Sequence, residues 1–230
     1  MLVSDALKKQ LLAHFARLAK AMASANRLEL LEALAQGERN VDTLAQICGM
    51  SIANTSHHLQ VLRDSGLVNN HKEGVQVIYR LKDPEIPILL GIIGRIAERQ
   101  SAEVERIMRE HFVSKDDLKP VRREELLDQV RSGEMMVIDV RSASEYRSGH
   151  IQGAVNIPLE NLPERLAELP KDQEIVAYCR GPYCLLAYEA VVRLREQGYR
   201  ARRLEDGFPE WKAGHYPVDG NSDNLGSGKF

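Results

Sequence analysis

The residues best suited to chemistry lie in the stretch Tyr178 to Leu186, read Y-C-R-G-P-Y-C-L-L. An apolar run, Glu174 to Tyr178, ends on Cys179; after Cys184 the pattern turns helical through Leu185, Leu186, Ala190, Val191 and Leu194. This spacing predicts a strand, a tight loop and a helix. A cysteine at the start of such a loop meets the unpaired N–H groups of the first helical turn and the positive helix end. Both favour a thiolate over a thiol. Cys179 is therefore a candidate nucleophile.

Composition bounds what this sulfur can serve. With 230 residues, 43% hydrophobic and 28% charged, the chain is ordinary globular sequence long enough for two modest domains. The amphipathic N-terminal stretch carries Lys8, Lys9, Arg17 and Lys20 and lacks the apolar core of a signal peptide. The most apolar piece, Ile86 to Ile96, is too short for a membrane span and contains Arg95. These features point to a soluble, cytoplasmic protein. Three cysteines, Cys48, Cys179 and Cys184, make an odd count unlike a secreted disulfide framework. The net charge of -2 leaves no global basic footprint, so any nucleic-acid binding must come from local charge.

The first half reads as helices. Asp5 to Met22 is amphipathic, and a second helix starts at Ser24 and stops at Gly37. Val41 to Ile47 is broken at Gly49, and Ser51 caps a fourth helix, Ile52 to Asp64. Leu67 to Lys72 and Val75 to Leu81 are strand-like runs joined at Glu73-Gly74, a hairpin signal. Helix, turn, helix and hairpin make an all-α winged helix-turn-helix with a β-hairpin wing. The segments "AMASANRLELLEAL", "SIANTSHHLQVLRDSGLV" and "HKEGVQVIYRL" resemble an ArsR/SmtB-type winged-helix repressor over about the first 110 residues.

With Ile52, Leu59 and Leu62 marking the buried face of the fourth helix, Asn54, Thr55, Ser56, His57, Gln60 and Arg63 are expected to point outward. These types reach base edges and phosphates in a major groove. The wing adds Lys72, Gln76 and Arg80. The bland alternative is a solvated helix face and an ordinary surface hairpin. His58 is expected to pack against the preceding helix. The stretch Ile86 to Phe112 is expected to form one long helix with more apolar stripe than a small domain needs at its end. In the resembling family the first and last helices build a two-fold homodimer, which implies a double-stranded DNA operator of two-fold symmetry. The family's thiolate site would fall at Glu38 to Asp42, where "ERNVD" has no cysteine, and the last helix offers only His111 for the other site. No metal and no cofactor is expected, and Cys48 reads as a small core residue.

Residues 1–112 are thus expected to form the DNA-binding and dimerisation domain, 113–120 a linker, 121–218 a second domain, and 219–230 a disordered tail. The second domain alternates strands and helices, predicting an α/β fold with a mostly parallel sheet and Cys179 at the carboxyl end of a strand. "VIDVRSASEYRSGHIQGAVNIP", "IVAYCRGPYCLLA" and "LEDGFPEWKAG" resemble a rhodanese-like domain, with Asp206 where that family more often has glycine.

The resemblance implies that Cys179 takes a sulfane sulfur from a donor such as thiosulfate or polysulfide and holds it as a persulfide. Backbone N–H groups of Arg180, Gly181, Tyr183 and Cys184 are the expected anion cradle, and Arg180 a fixed positive charge; Pro182 contributes no N–H. Phosphatase and arsenate reductase loops hold arginine six residues after the cysteine, where this chain has Leu185. Asp139, Arg141, Glu145 and His150 are read as structural, and Trp211 and Phe208 as core. Cys184 either attacks a persulfide on Cys179 or packs at the helix start. The expected function is a repressor that senses or carries sulfane sulfur at Cys179; the alternatives are a sulfurtransferase working independently of DNA and an inert scaffold on a DNA-binding protein.

Overall fold

The computed structural model describes residues 2–110, 119–132 and 134–220; most of the expected linker and the tail from residue 221 lie outside these. The chain divides into two compact units, Met1–Leu90 and Gly91–Phe230.

In the first unit, α1 (Leu2–Met22) and α2 (Ala25–Ala35) lead to a short β1 (Arg39–Asn40), then α3 (Val41–Ile47) and α4 (Ile52–Asp64). Asn40 and Ser51 cap α3 and α4, accepting hydrogen bonds from the Thr43 N–H at 2.8 Å and the Asn54 N–H at 3.3 Å. β2 (Val68–Glu73) and β3 (Gln76–Leu81) form the antiparallel wing, turning at Gly74, whose φ of 60° suits glycine. β1 pairs with the far edge of β3, a third strand too short to be seen in the sequence pattern. Leu30, Leu31, Leu34, Leu44, Leu59 and Leu62 fill the core.

α5 (Ile86–Gln100) is separated from α6 (Ala102–Met108) at Ser101, so the expected single helix is two. Ser101 takes an extended backbone (φ -117°, ψ 110°), and its hydroxyl accepts from the Val104 N–H at 3.3 Å. A serine offered a capping role competes with helix continuation. Apolar side chains on α1 (Leu7, Leu11, Leu12 and Phe15) and α5 (Leu89, Ile92, Ile93 and Ile96) are exposed. No helix among the described residues is long and apolar enough to cross a membrane.

In the second unit, α7 (Arg123–Ser132), β4 (Met135–Asp139), α8 (Ala143–Ser148), β5 (His150–Ile151), β6 (Val155–Asn156) and α9 (Leu162–Arg165) precede β7 (Glu174–Tyr178). Then come α10 (Leu185–Glu196), β8 (Ala201–Arg203), α11 (Phe208–Ala213) and β9 (Val218–Asp219). β9 pairs with β5 and takes in Asp219, which the sequence reading had assigned to the tail. The central sheet, in the order β6-β4-β7-β8, is parallel throughout. Alternation along β7 divides the core in two. Ile175, Ala177 and Cys179 face α10, while Val176 and Tyr178 face Leu126 of α7 and Trp211 of α11. A parallel sheet covered on both faces explains why β4 and β7 read as continuous apolar runs.

Candidate functional site

Cys179 follows β7 directly, and Cys184 is the residue before α10. The two are joined by a disulfide, with Cα atoms 6.2 Å apart. Cys179 is only 1% exposed and packs in the α10-side core, whereas Cys184 is half-buried. The Cys184 N–H donates to the Gly181 carbonyl at 3.2 Å. In this closed loop that donor is engaged in a turn.

The loop is gripped from three sides. The Arg180 guanidinium donates from Nε to Glu145 Oε1 at 2.7 Å and from Nη2 to Glu145 Oε2 at 2.9 Å, a bidentate pair. Its charge is shared with a carboxylate. Glu145 is itself fixed by a capping box at the start of α8, with the Ser142 hydroxyl donating to Oε2 at 2.7 Å. Burial pushes the Glu145 carboxyl up, but the hydrogen bonds from Arg180 and Ser142 outweigh it and hold the pKa at about 2. That this glutamate reaches Arg180 was not legible in the sequence.

Beneath the loop, Tyr178 donates its hydroxyl to Asp139 Oδ2 at 2.5 Å and accepts from the Ile151 N–H at 3.1 Å. Asp139 also binds Arg141, whose Nη2 donates to Oδ2 at 2.6 Å and to the Gly149 carbonyl at 2.8 Å. Asp139 and Arg141 are fully buried, and the Arg141 guanidinium lies 4.4 Å from the centre of the Phe208 ring. Phe208 and Trp211 are buried. The third grip is Gly207, where an added Cβ would stand 2.5 Å from the Arg180 carbonyl carbon and closer still to the Gly181 backbone. Asp206 forms an ion pair with Arg123 at 2.9 Å.

Tyr183 projects from the loop tip into a cluster with Val104, Met108 and Tyr188. Its ring fills the space a Cβ at Gly94 would occupy: that atom would be 2.5 Å from the Tyr183 hydroxyl oxygen. Burial and then Glu98 raise the phenol's pKa, with Arg95 and Arg99 opposing. Nothing in the local sequence pairs Tyr183 with Gly94, because the contact depends on tertiary packing.

On α4, Asn54, Ser56, His57, Gln60 and Arg63 are exposed, as are Lys72, Gln76 and Arg80 on the wing. Thr55 is not: it is fully buried, and its hydroxyl donates to the Ser51 carbonyl at 3.0 Å. Ile52, expected inside, is 52% exposed. The buried stripe is thus Thr55, Leu59 and Leu62, and a threonine can enter it because the carbonyl one turn back satisfies its hydroxyl. Gln60 bridges Arg63 and Asp64 at 2.6 Å each, and Arg80 lies 3.6 Å from Glu38. His58 turns back to Asn26 of α2 at 3.3 Å; burial, Arg27 and His57 lower its pKa. Cys48 packs at the edge of the first core, and burial with Glu29 and Glu32 pushes its thiol up to about 11, making it a poor nucleophile.

Comparison with known proteins agrees with both halves. Residues 24–70 match the bacterial regulatory proteins of the arsR family, and residues 122–214 match the rhodanese-like domain. The chain is 41% identical over 212 residues to the HTH-type transcriptional regulator Rv0324 of Mycobacterium tuberculosis, covering 92% of this chain and 93% of that protein. The chain belongs to the ArsR-type transcriptional regulators that carry a rhodanese domain. This ArsR-type chain is also 33% identical over 86 residues to a sulfurtransferase of Allochromatium vinosum, covering 37% of this chain and 78% of that one. It is 37% identical over 79 residues to the transcriptional activator HlyU of Vibrio cholerae, covering 34% of this chain and 73% of that one.

Proposed function

We propose that this ArsR-type regulator binds DNA as a cytoplasmic homodimer and that its rhodanese domain carries sulfane sulfur as a persulfide on Cys179, which sets the DNA affinity. The observation that carries the reading is a cysteine at the carboxyl end of β7, five residues before a second thiol, in a chain whose first half is a DNA-reading fold. Asn54, Ser56, His57, Gln60 and Arg63 on α4 read the major groove, and Lys72, Gln76 and Arg80 on the wing add backbone contacts. The exposed apolar residues of α1 and α5 supply the dimer surface. Gly94 and Tyr183 connect the loop to the part of α5 that lies in the second unit. The donor is a small sulfane compound such as thiosulfate or polysulfide.

The test is affinity for a duplex selected by the full-length protein from a random pool, measured for wild type and Cys179→Ser with and without inorganic polysulfide. A donor-dependent change in wild type that vanishes in Cys179→Ser is the expected result. Equal affinities at full persulfide occupancy refute sensing. The likeness to a sulfurtransferase favours a second reading, in which thiosulfate turnover requires Cys179 but is indifferent to the duplex.

A further inference from the structure

The Cys179–Cys184 bond has a consequence beyond sulfur carriage. A carrier needs one cysteine, yet this loop brings a second sulfur to bonding distance of the first, within a turn closed by the Cys184 N–H on the Gly181 carbonyl. Cys184 precedes α10 without any side-chain capping bond, so its sulfur is not committed to holding the helix start. In the closed form Cys179 is almost wholly buried among Ile138, Ala177 and Ala187, out of reach of a donor. The ring is therefore a state that cannot accept sulfur, and it must be opened before Cys179 works again.

We propose that Cys184 is the resolving thiol for a persulfide on Cys179, so that the protein reduces sulfane sulfur to hydrosulfide and ends as the Cys179–Cys184 disulfide. The inference rests on the sulfur-carrier reading above. With thiosulfate, the Cys179 thiolate attacks the outer sulfur; the sulfur–sulfur bond of the donor breaks and sulfite leaves with its electron pair. Cys184 then attacks Cys179 Sγ, the bond to the outer sulfur breaks, and that sulfur departs as hydrosulfide with the Cys184 proton. The two thiols supply the two electrons that reduce the sulfane sulfur. An external dithiol reductant reopens the ring and is itself oxidised to a disulfide. Sulfite reports the first step and hydrosulfide the second, so the steps are separable.

The experiment uses pre-reduced full-length protein freed of reductant, given thiosulfate or, in a parallel arm, inorganic polysulfide. Sulfite and hydrosulfide are measured in the thiosulfate arm, and intact mass in both. Wild type is expected to release one equivalent each of sulfite and hydrosulfide and to finish lighter by two hydrogen atoms. Cys184→Ser and Cys184→Ala are expected to finish heavier by one sulfur atom, with no hydrosulfide. Hydrosulfide release by those variants at the wild-type rate overturns the proposal, as does a wild-type persulfide that persists unresolved; both leave sulfur carriage standing. Absence of any mass change from either donor overturns sulfur carriage and resolution together.

Discussion

Gly207→Ala tests whether the position of the Cys179 loop depends on a backbone contact made from outside it. Gly207 has φ -108° and ψ -175°, an extended conformation open to any residue, so alanine adds no backbone strain. The cost is steric. The new Cβ would stand 2.5 Å from the Arg180 carbonyl carbon and nearer to Gly181, against the roughly 3.5–4.0 Å at which carbon atoms rest. Gly207 cannot withdraw freely. Its N–H donates to Glu210 Oε2 at 3.0 Å, its carbonyl accepts from the Trp211 N–H at 3.1 Å, and the Phe208 N–H donates to the Cys179 carbonyl at 3.1 Å. The loop must therefore retreat by about 1 Å, a displacement that lowers the rate of a positioned reaction on the order of 100-fold. Overpacking of this kind also costs about 1–3 kcal/mol of stability. The assay is the rate of Cys179 persulfide formation from thiosulfate, followed by quenching and intact mass, with circular dichroism to establish folding. A folded Gly207→Ala that loads at the wild-type rate would refute the argument.

Further outcomes follow from the same contacts. Gly94→Ala should expel the Tyr183 ring and reduce the donor-dependent change in DNA affinity while Cys179 still takes up sulfur; an undiminished change removes Gly94 and Tyr183 from the coupling. Asp139→Ala leaves Arg141 and the Tyr178 hydroxyl buried without their shared acceptor, and chemical denaturation should show a loss of about 3–5 kcal/mol, the usual cost of breaking a buried pair. The Glu145 carboxyl, lowered from 4.5 to about 2 in the folded protein, contributes stability that is full above 4.5 and lost as pH falls through about 2. The stability gap between wild type and Glu145→Gln should therefore be constant above that window and close within it. A gap that instead changes between neutral and mildly acidic pH contradicts the assignment.

Much of the fold was legible because its signals are local. The cap at Ser51, the hairpin at Gly74 and the uninterrupted apolar runs of β4 and β7 each express a preference of a few adjacent residues. The exceptions are equally physical. Ile52 and Thr55 exchanged their expected faces because hydrophobicity ranked the isoleucine first, whereas packing favoured the side chain whose hydroxyl finds a carbonyl one turn back. Ser101 divided a helix that apolar periodicity read as continuous. β1 has only two residues and exists through its pairing with β3.

By itself the sequence determined a winged helix-turn-helix, an α/β unit after it, and a strand–loop–helix starting at Cys179, since periodicity, caps and turn residues act over a few positions. Tertiary structure decided what surrounds that cysteine. Glu145 reaches Arg180 across 35 residues, Asp139 reaches Tyr178 across 39, Gly207 presses on the loop backbone, and Tyr183 fills the space beside Gly94. These contacts depend on which strand lies next to which, and no short stretch of chain encodes that neighbour.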